Sequence, residues 1–297
     1  MREILSLLVL FVVAAQARAD GGIFVGTTPC GAPVRAFLGI GSREKCDSVH
    51  WDLGLALRVN RTTGPNLVAT VEYGEAGKSL RKLKREGLWT AAVGTPEHPG
   101  AAVYQLTRGK AKLALWKVTD ETVHLLNAKR QLLVGNADRG YALSVALANQ
   151  PPARPGPRRY LQYKPSQYAS GPQVYGIFEG TTPCDLAQVI AIPVAAPCDA
   201  INWRLTLFQD AVTHVPTRYR LESGLFPIAS REGAITMLPG TRFDATAKVV
   251  RLEPAEGTQP LYLMRGDENV LFFLDQAGKL GFGNRDYNYT LNRRSGN

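Results

Sequence analysis

One nine-residue stretch occurs twice in the sequence. Residues 22–30 read GIFVGTTPC and residues 176–184 read GIFEGTTPC, so the copies differ only at Val25 and Glu179. The residues after each copy also repeat in the same order. Self-similarity over this length indicates one structural unit that is built twice in tandem. The fold of the chain therefore follows from what a single unit can form.

Apolar residues alternate along the segment after the second cysteine of each unit. They are Val49, Trp51, Leu53 and Leu55 in the first unit, and Ile201, Trp203, Leu205 and Leu207 in the second. A period of two is typical of a strand with one buried face, and each tryptophan is expected to anchor a core. Elsewhere, turn residues interrupt short apolar runs about every ten residues. This pattern predicts an all-β protein built of two tandem small antiparallel β-barrels.

Later parts of the two units match as well. Residues 85–106 align with 231–252, residues 120–126 with 267–273, and residues 135–143 with 283–291. In this alignment Val123 corresponds to Val270. Helical patterning is weak: Leu80 and Leu83 in the segment 77–85 allow either a turn or a single helical turn.

The first nineteen residues have the pattern of a secretion signal. An apolar run from residue 4 to residue 15, broken only by Ser6, precedes Ala17-Arg18-Ala19, which fits the sequence that a signal peptidase reads. The run is too short for a membrane span, which needs about twenty residues. We expect cleavage before Asp20, export to the periplasm or beyond, a soluble mature chain and no stable membrane insertion. Export also disfavours nucleic acid as a partner.

Four cysteines follow the predicted signal: Cys30, Cys46, Cys184 and Cys198. An even number of cysteines in an exported chain indicates disulfides. The repeat selects Cys30–Cys46 and Cys184–Cys198, because each unit then has a bridge of its own. A thiolate metal site is disfavoured, since such sites use closely spaced C-x-x-C pairs and the sequence has none.

Prolines concentrate between the two units, in residues 150–174. Proline at this density does not fit inside a sheet and favours an extended spacer. We therefore divide the chain into a signal peptide (1–19), a first barrel (20–149), a linker (150–174) and a second barrel (175–297). Each barrel has about the size that one hydrophobic core needs.

Three features of each unit carry a family resemblance: the opening Gly-x-Phe-x-Gly-Thr-x-Pro-Cys, the strand after the cysteine loop, and a late strand–turn–strand, seen in residues 266–279. Each unit resembles the N-terminal domain of the NlpE family of bacterial copper-resistance lipoproteins, a small lipocalin-like barrel. The resemblance implies an envelope protein that senses surface contact, lipoprotein trafficking or redox stress.

The sequence departs from that family at the residues used for metal and lipid chemistry. The family has a C-x-x-C directly after its Thr-x-Pro segment, whereas Cys30 is followed by Gly-Ala-Pro and Cys184 by Asp-Leu-Ala. The usual lipid-attachment cysteine is also missing. Copper resistance through a C-x-x-C pair and membrane anchoring therefore do not transfer to this chain.

No catalytic motif stands out. The sequence has no Gly-x-Ser-x-Gly and no repeated Ser–His spacing. Its four histidines are scattered (His50, His98, His124 and His214), and the second unit has Asn202 at the position of His50. Acidic residues shared by both units are interpreted as turn formers: Asp47, Asp199, Asp138 and Asp286. We expect no catalytic residue, no metal and no cofactor.

Basic residues concentrate in two places. Those of the first unit are Lys78, Arg81, Lys82, Lys84 and Arg85, and those of the linker include Arg158 and Arg159, next to Tyr160. They are weak candidates for binding an envelope protein or an anionic envelope polymer. A solvated surface that only aids solubility is the alternative.

These observations favour a non-catalytic binding or sensor-like protein of the bacterial cell envelope. One alternative is a lipocalin-like carrier of a small apolar ligand in a barrel mouth, which packed cores in both barrels would exclude. Another is an inhibitor or enzyme that acts on envelope material; an enzyme would need a cleft with carboxylates from both units. The oligomeric state is left open.

Overall fold

A computed structural model describes residues 22–56, 66–146, 159–163, 166–184, 197–225, 230–253 and 259–294. These residues form two closed eight-stranded antiparallel barrels in tandem, which confirms the predicted fold class. The predicted signal peptide, residues 1–19, lies outside the described residues, as do residues 150–158 of the predicted linker. No helix in the described part of the chain is long and apolar enough to cross a membrane.

Barrel 1 is a meander in which each strand pairs with the next and the last returns to the first. Its strands are β1 (Ile23–Pro29), β2 (Ser48–Ala56), β3 (Asn66–Gly74), β4 (Arg81–Val93), β5 (Ala102–Arg108), β6 (Ala111–Lys117), β7 (Thr122–Leu126) and β8 (Ala142–Val145), with helix α1 (Ala32–Leu38) after β1. The disulfide Cys30–Cys46 joins the segments that follow β1 and precede β2, as predicted.

Barrel 2 repeats this order. A two-residue strand, β9 (Tyr160–Leu161), pairs in parallel with the start of β11. The barrel strands are β10 (Val174–Pro183), β11 (Ala200–Gln209), β12 (Pro216–Ser223), β13 (Arg231–Pro239), β14 (Lys248–Leu252), β15 (Leu261–Arg265), β16 (Val270–Leu274) and β17 (Thr290–Arg293). The disulfide Cys184–Cys198 is also formed, which confirms the second predicted bridge.

The repeated nine-residue stretch forms the strand that closes each barrel. In barrel 2, a Cβ atom on Gly180 would overlap the backbone oxygen of Thr290 on β17. In barrel 1, a Cβ atom on Gly26 would lie 3.0 Å from a side-chain carbon of Leu143 on β8. The glycine therefore allows the last strand to approach the first closely enough to pair with it.

The second threonine of the stretch binds the core tryptophan. The indole Nε1 of Trp51 donates to Oγ1 of Thr28 at 2.9 Å, and that of Trp203 donates to Oγ1 of Thr182 at 2.8 Å. Both indoles are buried. A buried indole N–H needs a partner, so each tryptophan serves as a core anchor, as the alternation predicted.

Helix α1 packs against the core of barrel 1, and the weak helical patterning of the sequence does not predict it. Its buried residues Val34, Phe37 and Leu38 belong to the same apolar cluster as Trp51. The helix ends at Gly39, whose φ of 72° lies in the left-handed region that glycine tolerates. The corresponding part of barrel 2, residues 185–196, lies outside the described residues.

Strand pairing corrects the alignment of the two units by one position in β7 and β16. Val123 pairs with Leu143 across β7 and β8, whereas Leu271 pairs with Leu291 across β16 and β17. Leu143 and Leu291 are matched positions, so the counterpart of Val123 is Leu271 and not Val270. The expected alignment followed residue identity, but the ladder hydrogen bonds set the register.

The barrels pack side by side across a shared apolar layer, which we call the inter-barrel layer. From barrel 1 it contains Val103, Ala114, Trp116, Leu126, Leu132 and Ala142, and from barrel 2 it contains Ala247, Val249, Met264, Val270, Phe272, Leu274 and Leu280. Most of these residues lie on the outer faces of strands, while Leu132, Ala247 and Leu280 lie in the connecting segments, and the two surfaces bury each other. The burial stabilises the pair of barrels as one body.

Hydrogen bonds across this layer occur in equivalent pairs. The first threonine of each nine-residue stretch donates to a backbone oxygen of the other barrel: Thr27 to Arg285 at 2.6 Å, and Thr181 to Ala137 at 2.9 Å. These donors are matched positions, and so are the acceptors. The same patch of each unit therefore contacts the other, as in a twofold-symmetric dimer.

Candidate functional site

One end of barrel 2 opens into a cavity of about 240 Å³, which we call the mouth of barrel 2. It lies where β10 begins and β11 ends, at the end opposite the disulfide. Its apolar lining consists of Phe178, Leu207, Val215, Pro216, Met237, Val250 and Leu271, and its polar groups are Tyr175, His214, Arg265, Asp267 and Glu268. Met237 faces this cavity yet is 42% exposed. An apolar opening of this kind is typical of small-molecule sites in barrels.

The same end of barrel 1 is filled by aromatic side chains. Tyr104 occupies the position that Val250 has in barrel 2, and its neighbour Trp89 occupies that of Ile235. The two rings are buried and meet edge to face at 5.3 Å. The smaller side chains of barrel 2 leave the space that these rings occupy. Comparing matched positions in the sequence would have revealed this difference, because Tyr104 becomes Val250.

Asp267 is a buried acid in the wall of the mouth, only 7% exposed. Its Oδ1 accepts the backbone N–H groups of Asn269 at 2.7 Å and Val270 at 2.9 Å. Burial raises the pKa of this carboxyl, the two backbone N–H groups oppose that shift, and the negative charges of Glu268 and Glu97 add to it. The site therefore holds a desolvated carboxyl beside an apolar cavity.

A second cavity, of about 200 Å³, lies between the barrels. Barrel 1 contributes Thr95, Glu97 and Arg130, while barrel 2 contributes Asp267 and Glu268. Asp267 thus borders both cavities. Within the described ranges, no three His, Cys, Asp or Glu side chains are grouped closely enough to hold a metal ion.

The described part of the predicted linker forms a strap over the outer face of barrel 2, comprising residues 159–163 and 166–172. Beneath it, Arg204 is 5% exposed and donates from Nε to Glu179 at 2.9 Å and from Nη1 to the backbone oxygen of Ser166 at 3.0 Å. The ring of Tyr168 covers its guanidinium at 4.0 Å. Burial raises the pKa of the neighbouring Tyr163 to about 12.

This strap accounts for the only difference between the two nine-residue copies. Glu179 accepts hydrogen bonds from Arg204 and, at 3.0 Å, from the hydroxyl of Tyr168. In barrel 1 the matched residues are Val25 and Asp52, and Asp52 instead pairs with Arg285 of barrel 2 at 2.7 Å. The acid at position 179 thus binds the strap to barrel 2.

A groove of about 420 Å³ lies beside the strap and is lined partly by Tyr168, Arg293 and Arg294. Both arginines are engaged there. The guanidinium of Arg294 lies 3.6 Å from the ring centre of Tyr168, and Arg293 donates to the backbone oxygen of Tyr175. The groove is more open than the mouth, and its apolar side chains Val174, Tyr175 and Ile177 are only half-buried, so it is the weaker candidate.

The basic residues proposed from the sequence of the first unit lie on or just before β4. Four of them have carboxylate partners: Lys78 with Glu75 at 2.9 Å, Arg81 with Glu44 at 2.8 Å, Lys82 with Glu72 at 2.9 Å and Lys84 with Glu86 at 2.8 Å. Arg85 donates to the backbone oxygen of Leu38 at the end of α1. Because side chains alternate along a strand, Lys82 and Lys84 point away from the face of Arg81 and Arg85. The structure therefore divides this cluster between two faces.

The linker candidates lie at the start of the strap. Arg159 binds Asp199 through its backbone N–H at 2.9 Å, and Tyr160 accepts a hydrogen bond from the hydroxyl of Tyr287 at 2.8 Å. Arg158 lies outside the described residues. These contacts attach the linker to barrel 2.

Three of the four histidines lie at the inter-barrel layer. Nδ1 of His50 is 2.8 Å from Oγ1 of Thr27, and the amide of Asn202 donates to Thr181 in the same way. His98 stacks on Trp116 with ring centres 4.6 Å apart. His98 also contacts barrel 2, since its Nε2 lies 2.6 Å from the backbone oxygen of Gly266.

His124 is the third, and it is completely buried. Its Nε2–H donates to the backbone oxygen of Leu133 at 3.0 Å, and its ring faces Phe272 of the other barrel at 5.5 Å. Burial lowers the pKa of His124 to about 4. The ring is therefore neutral at pH 7.

The contacts of the shared acids differ from the expected turn role. Asp47 Oδ2 accepts the backbone N–H of Ala76 at 3.1 Å, and Ala76 lies between β3 and β4 rather than in the turn of Asp47 itself. In the Gly-Asn turns asparagine is the acceptor: Oδ1 of Asn136 binds the N–H of Asp138, and Oδ1 of Asn284 binds that of Asp286. Asparagine side chains make such turns as readily as aspartate does.

No protein family, no curated protein and no solved structure matches the chain.

Proposed function

We propose that this chain is a non-catalytic binding protein of the bacterial cell envelope, and that the mouth of barrel 2 binds a small, mainly apolar ligand. The observation that carries the proposal is the open apolar cavity of about 240 Å³. Typical ligand pockets measure about 300–1,000 Å³, so the ligand is small. It would place its apolar part between Phe178, Val250 and Leu271.

The difference between the barrels supports this proposal. Two units that share a core plan differ at the cavity itself, where Tyr104 fills barrel 1 and Val250 leaves barrel 2 open. Empty apolar space costs stability, because the residues around it lose packing contacts. The cavity is filled in barrel 1 and open in barrel 2. A role in ligand binding explains why barrel 2 keeps it in spite of this cost.

The cellular setting is part of the same proposal. We propose export to the periplasm or beyond after loss of residues 1–19, and an NlpE-like origin of each barrel. Two disulfides suit an oxidising compartment, and closed antiparallel barrels suit the resemblance. A sensing role in envelope stress belongs to this proposal; copper binding through a C-x-x-C pair does not.

Contact with an envelope protein or an anionic polymer is a weaker part of the proposal. Its support is the formal net charge of +10. Because Lys82 and Lys84 already have carboxylate partners, their attraction for a polyanion is reduced.

An enzyme acting on envelope material is the second candidate, and one observation favours it. Glu97 from the first unit and Asp267 from the second line the same inter-barrel cavity. Two backbone N–H groups bind Oδ1 of Asp267, so only its Oδ2 is left to exchange a proton. Hydrolysis of envelope polysaccharide that is lost in a Glu97→Gln variant would support this candidate over binding alone.

The binding proposal can be tested by NMR titration of the purified chain with hexan-1-ol, following the methyl groups of Val250, Leu271 and Met237. We expect saturable shifts at these methyls. Val250→Tyr introduces the side chain of barrel 1 and should abolish the shifts at Leu271. The matched control is Val93→Tyr at a side chain that is 62% exposed, and it should bind as the wild type does.

If Val250→Tyr does not fold, Met237→Trp at the rim tests the same point, because the larger ring would block the entrance. Shifts outside the mouth, or shifts that persist in a folded blocking variant, would contradict the proposal.

A further inference from the structure

The mouth of barrel 2 contains a buried acid in its wall. Asp267 is 7% exposed, and its hydrogen bonds come from two backbone N–H groups that share one carboxylate oxygen. None of the cationic side chains in the described ranges forms an ion pair with it. A buried carboxylate is costly unless a positive charge or further hydrogen bonds compensate it.

The local turn does not require this charge. In barrel 1 the matched residue is Thr119, whose Oγ1 accepts the backbone N–H of Glu121 at 3.1 Å. Asp267 accepts the N–H of Asn269 in the same place. A neutral hydroxyl therefore forms the turn in one barrel. The second carboxylate oxygen and the negative charge of Asp267 have no counterpart there.

The other charged groups at the mouth do not neutralise Asp267. The Nε of Arg265 is 3.3 Å from the backbone oxygen of Asp267, and this side chain is half-buried. Glu268 adds a second negative charge, and His214 is an exposed residue on the opposite rim. The group that is both buried and charged is thus an anion, and the complementary ligand group is a cation.

We propose that the ligand of this mouth is a small apolar amine, whose ammonium group binds the carboxylate of Asp267 while its hydrocarbon part fills the cavity. This inference rests on the proposed function. It draws on two differences from barrel 1 at one end of barrel 2: Val250 provides the space that Tyr104 fills, and Asp267 provides the charge that Thr119 lacks. An ammonium–carboxylate hydrogen bond is among the stronger ones in proteins, particularly where water is excluded.

The test compares three ligands of equal chain length, hexylamine, hexan-1-ol and hexanoate, by calorimetry and methyl NMR at pH 7. We expect hexylamine to bind at least about tenfold more tightly than hexanol, the range of one charge-assisted hydrogen bond, and hexanoate to bind most weakly. Asp267→Thr introduces the turn residue of barrel 1. It should reduce the amine preference to within about twofold and leave hexanol binding unchanged.

Two further variants complete the design. Asp120→Thr makes the same replacement at an acid whose side chain is 85% exposed, and should keep the full amine preference. Asp267→Asn keeps the size and the turn-forming oxygen, so it should lose the preference even if threonine disturbs the cavity.

Each outcome separates this inference from the proposed function. If hexanol binds at the mouth and hexylamine binds no more tightly, the inference of an amine ligand is refuted and the proposed binding site stands. No binding of any of the three ligands would refute both. A preference for hexanoate would show that Arg265 binds the charged group of the ligand, and it would refute the assignment to Asp267. An amine preference that survives in both Asp267 variants would also refute that assignment.

Discussion

His124 should make the stability of the molecule depend on pH between about 6.5 and 4. The ring is buried between the barrels, and its pKa is lowered from 6.5 to about 4 because burial disfavours the charged form. The unfolded chain therefore binds a proton in this range that the folded chain does not. Stability is unaffected by this group above pH 6.5 and falls as the pH decreases toward 4.

The magnitude follows from the shift. One pKa unit corresponds to about 1.4 kcal/mol, so a group displaced from 6.5 to about 4 removes about 3 kcal/mol of unfolding free energy at the acidic end of the range. That is a large part of the roughly 5–15 kcal/mol that stabilises a typical domain.

The perturbation is His124→Phe, because Phe272 occupies the matched position in barrel 2. Phenylalanine does not titrate, and it fits a site already lined by an aromatic ring. It leaves the backbone oxygen of Leu133 without its donor, which should cost about 1 kcal/mol at every pH. The variant should therefore be slightly less stable than the wild type at pH 7.5 and more stable at pH 4.5.

The assay is urea unfolding of both proteins at pH 7.5 and pH 4.5. Carboxylates also titrate in this range, so each protein loses some stability on acidification. The wild type should lose about 2–3 kcal/mol more unfolding free energy between pH 7.5 and pH 4.5 than His124→Phe does. His214→Asn is the control, because that ring is exposed and asparagine tolerates its φ of 54°. Equal losses in wild type and His124→Phe, within about 0.5 kcal/mol, would refute the reasoning.

Two further predictions concern the repeated stretch. Glu179→Val introduces the residue of the first copy and leaves Arg204 buried without its closest acid. The variant should have an unfolding free energy lower by about 3 kcal/mol, and a protease should cut its strap faster. An unchanged urea midpoint would contradict this. Gly180→Ala should destabilise the protein more than Gly26→Ala, because an added Cβ overlaps a backbone oxygen only in barrel 2. Unfolding curves of the two variants check the order, and equal midpoints would show that the closing strands adjust.

The basic residues of β4 show what strand geometry adds to a cluster that is close in sequence. Their closeness in sequence predicts one positive patch made of Arg81, Lys82, Lys84 and Arg85. Strand geometry sends alternate side chains to opposite faces, and acids from other segments pair with them. Proximity in sequence predicts a patch only when the secondary structure is known. In the segment 77–85, for which the sequence allows a turn or a helical turn, β4 begins at Arg81.

The sequence pattern does not predict helix α1 because the helix is short. It has only seven residues, too few for a hydrophobic period to stand out, although a proline in its first turn and glycine at its end are typical of helix boundaries. Its stability comes from burying Val34 and Phe37 in barrel 1 and from the arginines that bind its last carbonyl groups.

The sequence by itself determined the duplication, the all-β class, the two tandem barrels and the pairing of the cysteines. Those conclusions depend on local periodicity and on comparing two copies of one unit, and the amino-acid sequence contains the information for both. The tertiary structure alone decided which strand faces meet between the barrels, that Asp267 is buried with no ion pair to any described cationic residue, and that barrel 2 is open where barrel 1 is filled. Such features depend on the register of strands and on the volumes of side chains far apart in sequence, so they exist only once the barrels have closed and packed together.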